Sequence, residues 1–206
     1  MNSGSRKQHW DSVYTSKAEG ELSWYQDSPA PSLDLLSKIN ATPQSGLIDI
    51  GGGASRLVDA LLDGGYQDLT VLDLSEAALR TARARLGSRA EAVTWIEADV
   101  TQWEPTRQYD VWHDRAAFHF LVEPTQQAAY ADRVVRALSS GGHAIIGTFA
   151  LDGPDTCSGL PVARHDAQSL ATTLGSRFTI LHAMPHRHVT PWGSEQSFQF
   201  TILRKS

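Results

Sequence analysis

The segment Ile48-Asp49-Ile50-Gly51-Gly52-Gly53-Ala54-Ser55 puts an apolar run directly ahead of a glycine cluster and a small hydroxyl residue. A buried strand that enters a glycine turn and leaves it as a helix brings backbone N–H groups against a ligand, which is how nucleotides are held. A side chain at Gly51 or Gly53 would keep the ligand off the main chain or strain a residue at positive φ. Dinucleotide enzymes use G-x-G-x-x-G, whose third glycine lets helix pack on strand. Counted from Gly51 that place is Arg56 here, which argues against a nicotinamide cofactor. Two more acids follow apolar runs, Asp73 (before Leu74) and Asp99 (before Val100). A carboxylate at Asp73 can accept both ribose hydroxyls, although each acid taken singly also reads as a surface residue or a helix N-cap. Further on, Trp112-His113-Asp114-Arg115-Ala116 and Phe118-His119-Phe120 supply His113, Asp114 and His119 as possible general bases. His113 sits inside an apolar run and equally suits a hydrogen-bonded core residue, and Asp114 with Arg115 equally suits a structural ion pair.

These residues need a frame that delivers strand ends to one place. Strand-like runs are Leu47–Ile50, Leu69–Leu72, Val93–Glu97, Tyr109–Asp114 and His143–Phe149, alternating with helical patterns at Ser55–Asp63, Ser75–Leu86 and Thr125–Leu138. Such alternation predicts a parallel sheet wrapped by helices, with ligands beyond the carboxyl ends of the strands. Ser139-Ser140-Gly141-Gly142 is expected to end the third helix. After Asp152 come a Gly/Pro/Ser-rich connector (153–161), a helix near Asp166–Leu174, and two alternating runs, Phe178–His188 and Gln196–Leu203. The turn-like Pro191-Trp192-Gly193-Ser194 between them predicts an antiparallel hairpin. The connector is long enough to overhang a pocket, where Cys157 would either line it or lie buried and inert.

A chain of 206 residues with 41% hydrophobic and 20% charged residues fits one α/β domain. A lone cysteine leaves no internal disulfide and no cysteine zinc cage, which suits a reducing, cytoplasmic setting. His182, His186 and His188 alternate along one strand, a spacing that needs no metal, and none is expected. The polar N-terminus does not resemble a signal sequence, and no run is long enough to span a membrane. A net charge of -5 offers no field for a phosphate backbone, so nucleic acid is not an expected partner.

Asp49 two residues before Gly51, then Gly53 and a small residue at Ser55, resembles the cofactor motif of class I methyltransferases dependent on S-adenosyl-L-methionine. The usual residue in the last place is glycine. Together with His9-Trp10-Asp11, Tyr14, Trp24-Tyr25, His113-Asp114-Arg115, Phe118-His119-Phe120-Leu121 and Thr190-Pro191-Trp192-Gly193, the chain is similar to a bacterial branch near the tellurite-resistance and small-thiol methyltransferases. It is more distantly similar to eukaryotic lysine methyltransferases. The resemblance implies a Rossmann-like doubly wound α/β fold, a mostly parallel seven-stranded sheet with a C-terminal antiparallel hairpin. Residues 1–206 would form one domain, 1–45 being a helical lead-in and 46–206 the core. It further implies that Asp99 accepts the adenine amino group beside the Val100 N–H, and that Trp10, Tyr14 and Trp24 form a lid walling the sulfonium, with plain packing as the alternative. Absence of an Asn/Asp-Pro-Pro-aromatic motif after the fourth strand speaks against ring- and amide-nitrogen acceptors. The acceptor expected is a small molecule, a thiol first, with S-adenosyl-L-homocysteine as product. A protein lysine and a non-catalytic cofactor-binding role are the alternatives: a closed dry pocket, an open acidic trough, or binding without turnover would separate them.

Overall fold

The computed structural model describes residues 3–206. Two helices precede the sheet, α1 (Ser3–Ser16) and α2 (Ala30–Lys38). There follow β1 (Leu47–Ile50), α3 (Leu57–Asp63), β2 (Leu69–Asp73), α4 (Glu76–Leu86), β3 (Val93–Glu97), β4 (Tyr109–Arg115), α5 (Pro124–Ala137) and β5 (Leu138–Phe149). A small hairpin, β6 (Thr156–Cys157) with β7 (Leu160–Pro161), leads to α6 (Ala167–Leu174), β8 (Phe178–Val189) and β9 (Glu195–Lys205).

The main sheet has seven strands in the order β3-β2-β1-β4-β5-β9-β8. β1 to β5 run parallel, and β9 and β8 add as an antiparallel pair. This is the seven-stranded Rossmann-like arrangement expected from the sequence. Alternation along the strands makes a core on each face. Leu47, Val111, Ile145 and Ile202 join α3 residues Leu57 and Leu61 on one side. Their neighbours Ile48, Trp112, Ile146 and Leu203 join Tyr130 and Val134 of α5 and Leu170 of α6 on the other.

Local signals set most boundaries. Ser75 caps α4 by accepting from the Ala78 N–H at 3.2 Å, and Asp166 caps α6 by accepting from the Ser169 N–H at 2.8 Å. Two boundaries differ from expectation. α3 begins at Leu57 because Ser55 belongs to the turn, its Oγ accepting from the Leu57 N–H at 3.1 Å. β5 begins at Leu138 with no intervening loop: Ser139 to Gly142 form a bulge in the β4–β5 ladder, with Gly141 at φ +78°. Strand order reverses between β1 and β4, so the ends at Ile50 and Asp114, which pair in register, open a crevice between them. Among the described residues no helix is long and apolar enough to cross a membrane.

Candidate active site

The glycine turn is shaped by the protein around it. Gly51 has φ +66°, and a Cβ there would stand 2.7 Å from the Cβ of Ala117, so glycine lets the end of β1 press against the exit of β4. At Gly53 an added Cβ would lie 2.5 Å from Asp73 Oδ2 and 2.6 Å from the Cβ of Ala78. The absence of a side chain therefore lets the Gly53 N–H donate to Asp73, which also accepts from the Ser75 N–H at 2.8 Å. Burial raises the Asp73 carboxyl to about 7, against the pull of these two N–H groups and with the charges of Asp49 and Asp11 adding to the rise.

Above the crevice lies a cavity with about 790 Å³ of empty space including its open mouth. Strand ends contribute Gly51, Asp73, Leu74, Asp99 and Val100 to its wall. From α1 come Arg6, Trp10 and Tyr14, and Trp24 follows from the segment after it. The Trp10 ring lies 4.8 Å from Phe120 and 5.6 Å from Trp24, and Tyr14 lies 6.1 Å from Trp24, closing an aromatic wall.

Polar contacts tie α1 across the site. Arg6 Nη2 donates to Asp99 Oδ2 at 2.6 Å, Lys7 bridges Asp11 at 2.6 Å and Glu97 at 3.1 Å, and Asp11 accepts from the Ser75 hydroxyl at 2.7 Å. Burial works to raise Asp99, but hydrogen bonds from Ser3 and Thr101 and the Arg6 charge outweigh it and hold the carboxyl below its usual range.

Six sequence candidates lie outside this cavity, among them Gly53, whose N–H is turned to Asp73 as described above. Asp49 is buried under the turn: Oδ1 pairs with His113 Nδ1 at 2.7 Å, and Oδ2, without a hydrogen-bond partner, fills the place a Gly52 side chain would take. Ser55 lines a separate pocket with Glu19 and Arg56. His113 bonds Ser32 through Nε2 at 2.8 Å and is a core residue. Asp114 is fully buried and caps the 3-10 turn Phe118–Phe120, accepting from the Ala117 N–H at 2.9 Å, the Phe118 N–H at 3.1 Å and the Tyr130 hydroxyl at 2.6 Å. Burial lifts it to about 6 in spite of those donors. His119 is also fully buried, both ring nitrogens lack partners, and Phe120 and Phe149 pack on it at 4.4 and 4.7 Å.

The expectation of His113, Asp114 or His119 as a base facing the acceptor is thus corrected. The reason is local: the pleat of β4 puts Asp114 on the face of Trp112 and Tyr130 and Arg115 on the opposite face, where with Ala116 and Ala117 it lines the cavity. Nor do Asp114 and Arg115 pair; Arg115 donates to the Trp24 carbonyl at 2.9 Å.

Burial pushes His119 down to about 3, with Arg115 and His165 adding to the fall. A depressed base stabilises the fold fully above the unfolded value near 6.5 and loses that stabilisation as pH falls toward the folded value. His119→Leu is expected to remove roughly 2 kcal/mol of the stability the parent loses between about pH 6.5 and 5. Urea titrations across that window check it; parallel pH dependences for the two proteins would refute the assignment.

Sequence reasoning did not assign Arg6, Phe120 or Arg115 to the cavity wall. Arg6 had a signal: with Trp10 and Tyr14 it recurs at i, i+4 and i+8, one face of a helix. Arg115 had none, because which face of β4 meets the cavity is set by the elements packed on it. Cys157, from the β6–β7 hairpin, lines the cavity while remaining mostly buried, and that burial pushes its thiol up to about 11.

Residues 47–142 match the methyltransferase-domain family. Over 180 residues the chain is 28% identical to trans-aconitate 2-methyltransferase of Acidovorax ebreus, covering 86% of this chain and 62% of that protein. It is 26% identical over 177 residues to thiocyanate methyltransferase 1 of Arabidopsis thaliana, covering 84% and 76%. Identity to mouse eEF1A lysine and N-terminal methyltransferase is 26% over 143 residues, 65% of this chain and only 20% of that protein, so the chain spans a fifth of that relative's length. In fold it resembles a Burkholderia thailandensis 1,6-didemethyltoxoflavin N1-methyltransferase determined with S-adenosylhomocysteine, at TM-score 0.71 and 21% identity over 98% of this chain and 85% of that one. The cavity fits such a nucleoside: two acids at neighbouring strand ends, a turn kept free of side chains, and an aromatic wall for a sulfonium. Residues 47–142, a little under half of the chain, thus resemble the methyltransferase-domain family in sequence, and the whole chain resembles solved methyltransferases in fold.

Proposed function

We propose that this chain transfers a methyl group from S-adenosyl-L-methionine to a small-molecule acceptor, a thiol being the first choice, as in the bacterial tellurite-resistance and small-thiol branch. The observation that carries the reading is the convergence of Gly51, Asp73 and Asp99 with Trp10, Tyr14 and Trp24 on one cavity. In this reading Asp73 accepts the ribose hydroxyls with Leu74 packing beside it, and Asp99 accepts the adenine amino group next to the Val100 N–H. Asp49, Gly53 and Ser55 act at one remove by holding the turn. When bound, the cofactor supplies an electrophilic methyl carbon on a sulfonium. Trp10, Tyr14 and Trp24 exclude water and face the positive sulfur, with residues 1–45 serving as the lid of a single domain that works in the cytoplasm.

The relatives named for trans-aconitate and thiocyanate support a small acceptor. The eEF1A relative supports a protein lysine as second reading, but α1 lies across the cavity where a substrate chain would need an open trough. The test is to supply S-adenosyl-L-methionine with panels of thiols, carboxylic acids, amines and peptides and to measure S-adenosyl-L-homocysteine. Turnover with a small-molecule panel supports the proposal, and turnover with peptides alone refutes it. As internal control, Asp73→Ala should weaken binding of S-adenosyl-L-homocysteine by about 1–3 kcal/mol through lost charge-assisted hydrogen bonds.

A further inference from the structure

The ionisable side chains on the cavity wall are Arg6, Tyr14, Asp73, Asp99, Arg115 and Cys157. Arg6 is neutralised by Asp99 at 2.6 Å, and in the function proposed above Asp73 and Asp99 are engaged by the nucleoside. At the aromatic end the groups left are Tyr14, Cys157 and Arg115. None of them takes up a proton at neutral pH: burial raises both the Tyr14 hydroxyl and the Cys157 thiol, so each stays protonated, and a guanidinium is already charged. The histidines and the aspartate that sequence placed nearby are walled off in the core.

Arg115 itself lacks a counter-ion. Its Nη2 donates to the Trp24 carbonyl, and among the described residues no carboxylate oxygen lies within 4.0 Å of its guanidinium. Asp49 and Tyr14 act on it only through space, and burial lowers its affinity for its proton. A partly covered cation without a carboxylate is costly unless an anion joins it.

Resting on the methyltransferase reading above, we infer that the acceptor is a small molecule that arrives already deprotonated, a thiolate or carboxylate anchored by Arg115 in the Trp10–Trp24–Phe120 enclosure. Its lone pair forms the new bond to the methyl carbon while the carbon–sulfonium bond breaks with its electron pair going to sulfur. The negative and positive charges cancel, no proton is released, and no base is required. Two opposite charges that disappear together react more readily in a dry aromatic enclosure than in water, which the aromatic wall provides.

The experiment is calorimetric titration of the full chain saturated with S-adenosyl-L-homocysteine, using thiocyanate, acetate, thiophenolate and benzoate, with acetamide and benzamide as neutral counterparts. At least one anion should bind roughly tenfold more tightly than its neutral counterpart. Arg115→Gln should lose that preference while keeping S-adenosyl-L-homocysteine affinity within about threefold, and Arg115→Lys should regain part of it. In turnover with thiols of graded acidity, the inflection of kcat/KM with pH should follow each thiol's own pKa. Anions bound no better than amides by the parent protein would overturn the inference, whatever the variants' folding. So would a tenfold loss of S-adenosyl-L-homocysteine affinity in folded Arg115→Gln, because the guanidinium would then hold the cofactor's carboxylate. Failure of S-adenosyl-L-homocysteine to bind the parent would instead sink the methyltransferase reading and this inference with it. Good binding with turnover of amines alone would sink only the inference.

Discussion

Gly51→Ala should bind S-adenosyl-L-homocysteine roughly 100-fold more weakly than the parent, about 2.7 kcal/mol, and melt roughly 5–15 °C lower. Two costs combine. A non-glycine residue in the left-handed region costs about 1–2 kcal/mol, and the new methyl would stand 2.7 Å from the Ala117 Cβ. Relieving that overlap costs a further ~1–3 kcal/mol and pushes the end of β1 away from the exit of β4. Both sides of that contact line the cavity, so the displacement reaches the site directly. Gly65→Ala is the control: Gly65 has φ +78° but nothing within 4 Å of an added Cβ, so it should lose stability through backbone strain alone and keep the parent's affinity. Calorimetry and thermal denaturation read both quantities. Equal affinity in Gly51→Ala and the parent would detach the glycine turn from the cofactor site.

Asp114→Ala should destabilise the fold by about 3–5 kcal/mol, the range for removing one partner from a buried charged network. The substitution leaves the Ala117 and Phe118 amides and the Tyr130 hydroxyl without their acceptor in the core. Tyr130 also accepts from Trp112 Nε1 at 2.8 Å, so the loss spreads to the packing between β4 and α5. Asp114→Asn keeps an acceptor oxygen and should lose less, roughly 1–2 kcal/mol. Denaturant titrations measure these values, and kcat of the folded fraction separates structure from chemistry. If Asp114→Asn retained stability yet lost kcat by about 100-fold, Asp114 would be restored as a base and the cavity wall described above would be wrong.

What the sequence determined by itself was the frame and its ligand-facing ends. Apolar runs at Leu47–Ile50, Tyr109–Asp114 and His143–Phe149, alternating with capped helical stretches, are written in neighbouring residues, and so were the parallel sheet and the closing hairpin. The glycine turn and the acids Asp73 and Asp99 were legible for the same reason, since each follows directly from the end of its strand. Directions beyond a strand end were not legible. Whether Asp114 or Arg115 meets the cavity depends on which face of β4 is covered by α5, and so on where Tyr130 stands in a helix sixteen residues away. His119 became a caged neutral ring only because Phe149 from β5 and Phe120 close on it. Arg6 met Asp99, and Trp10 met Phe120, because α1 folds across the sheet. Spacing fixes which residues share a face of one element, whereas which element covers that face is decided by long-range packing, which local sequence does not encode.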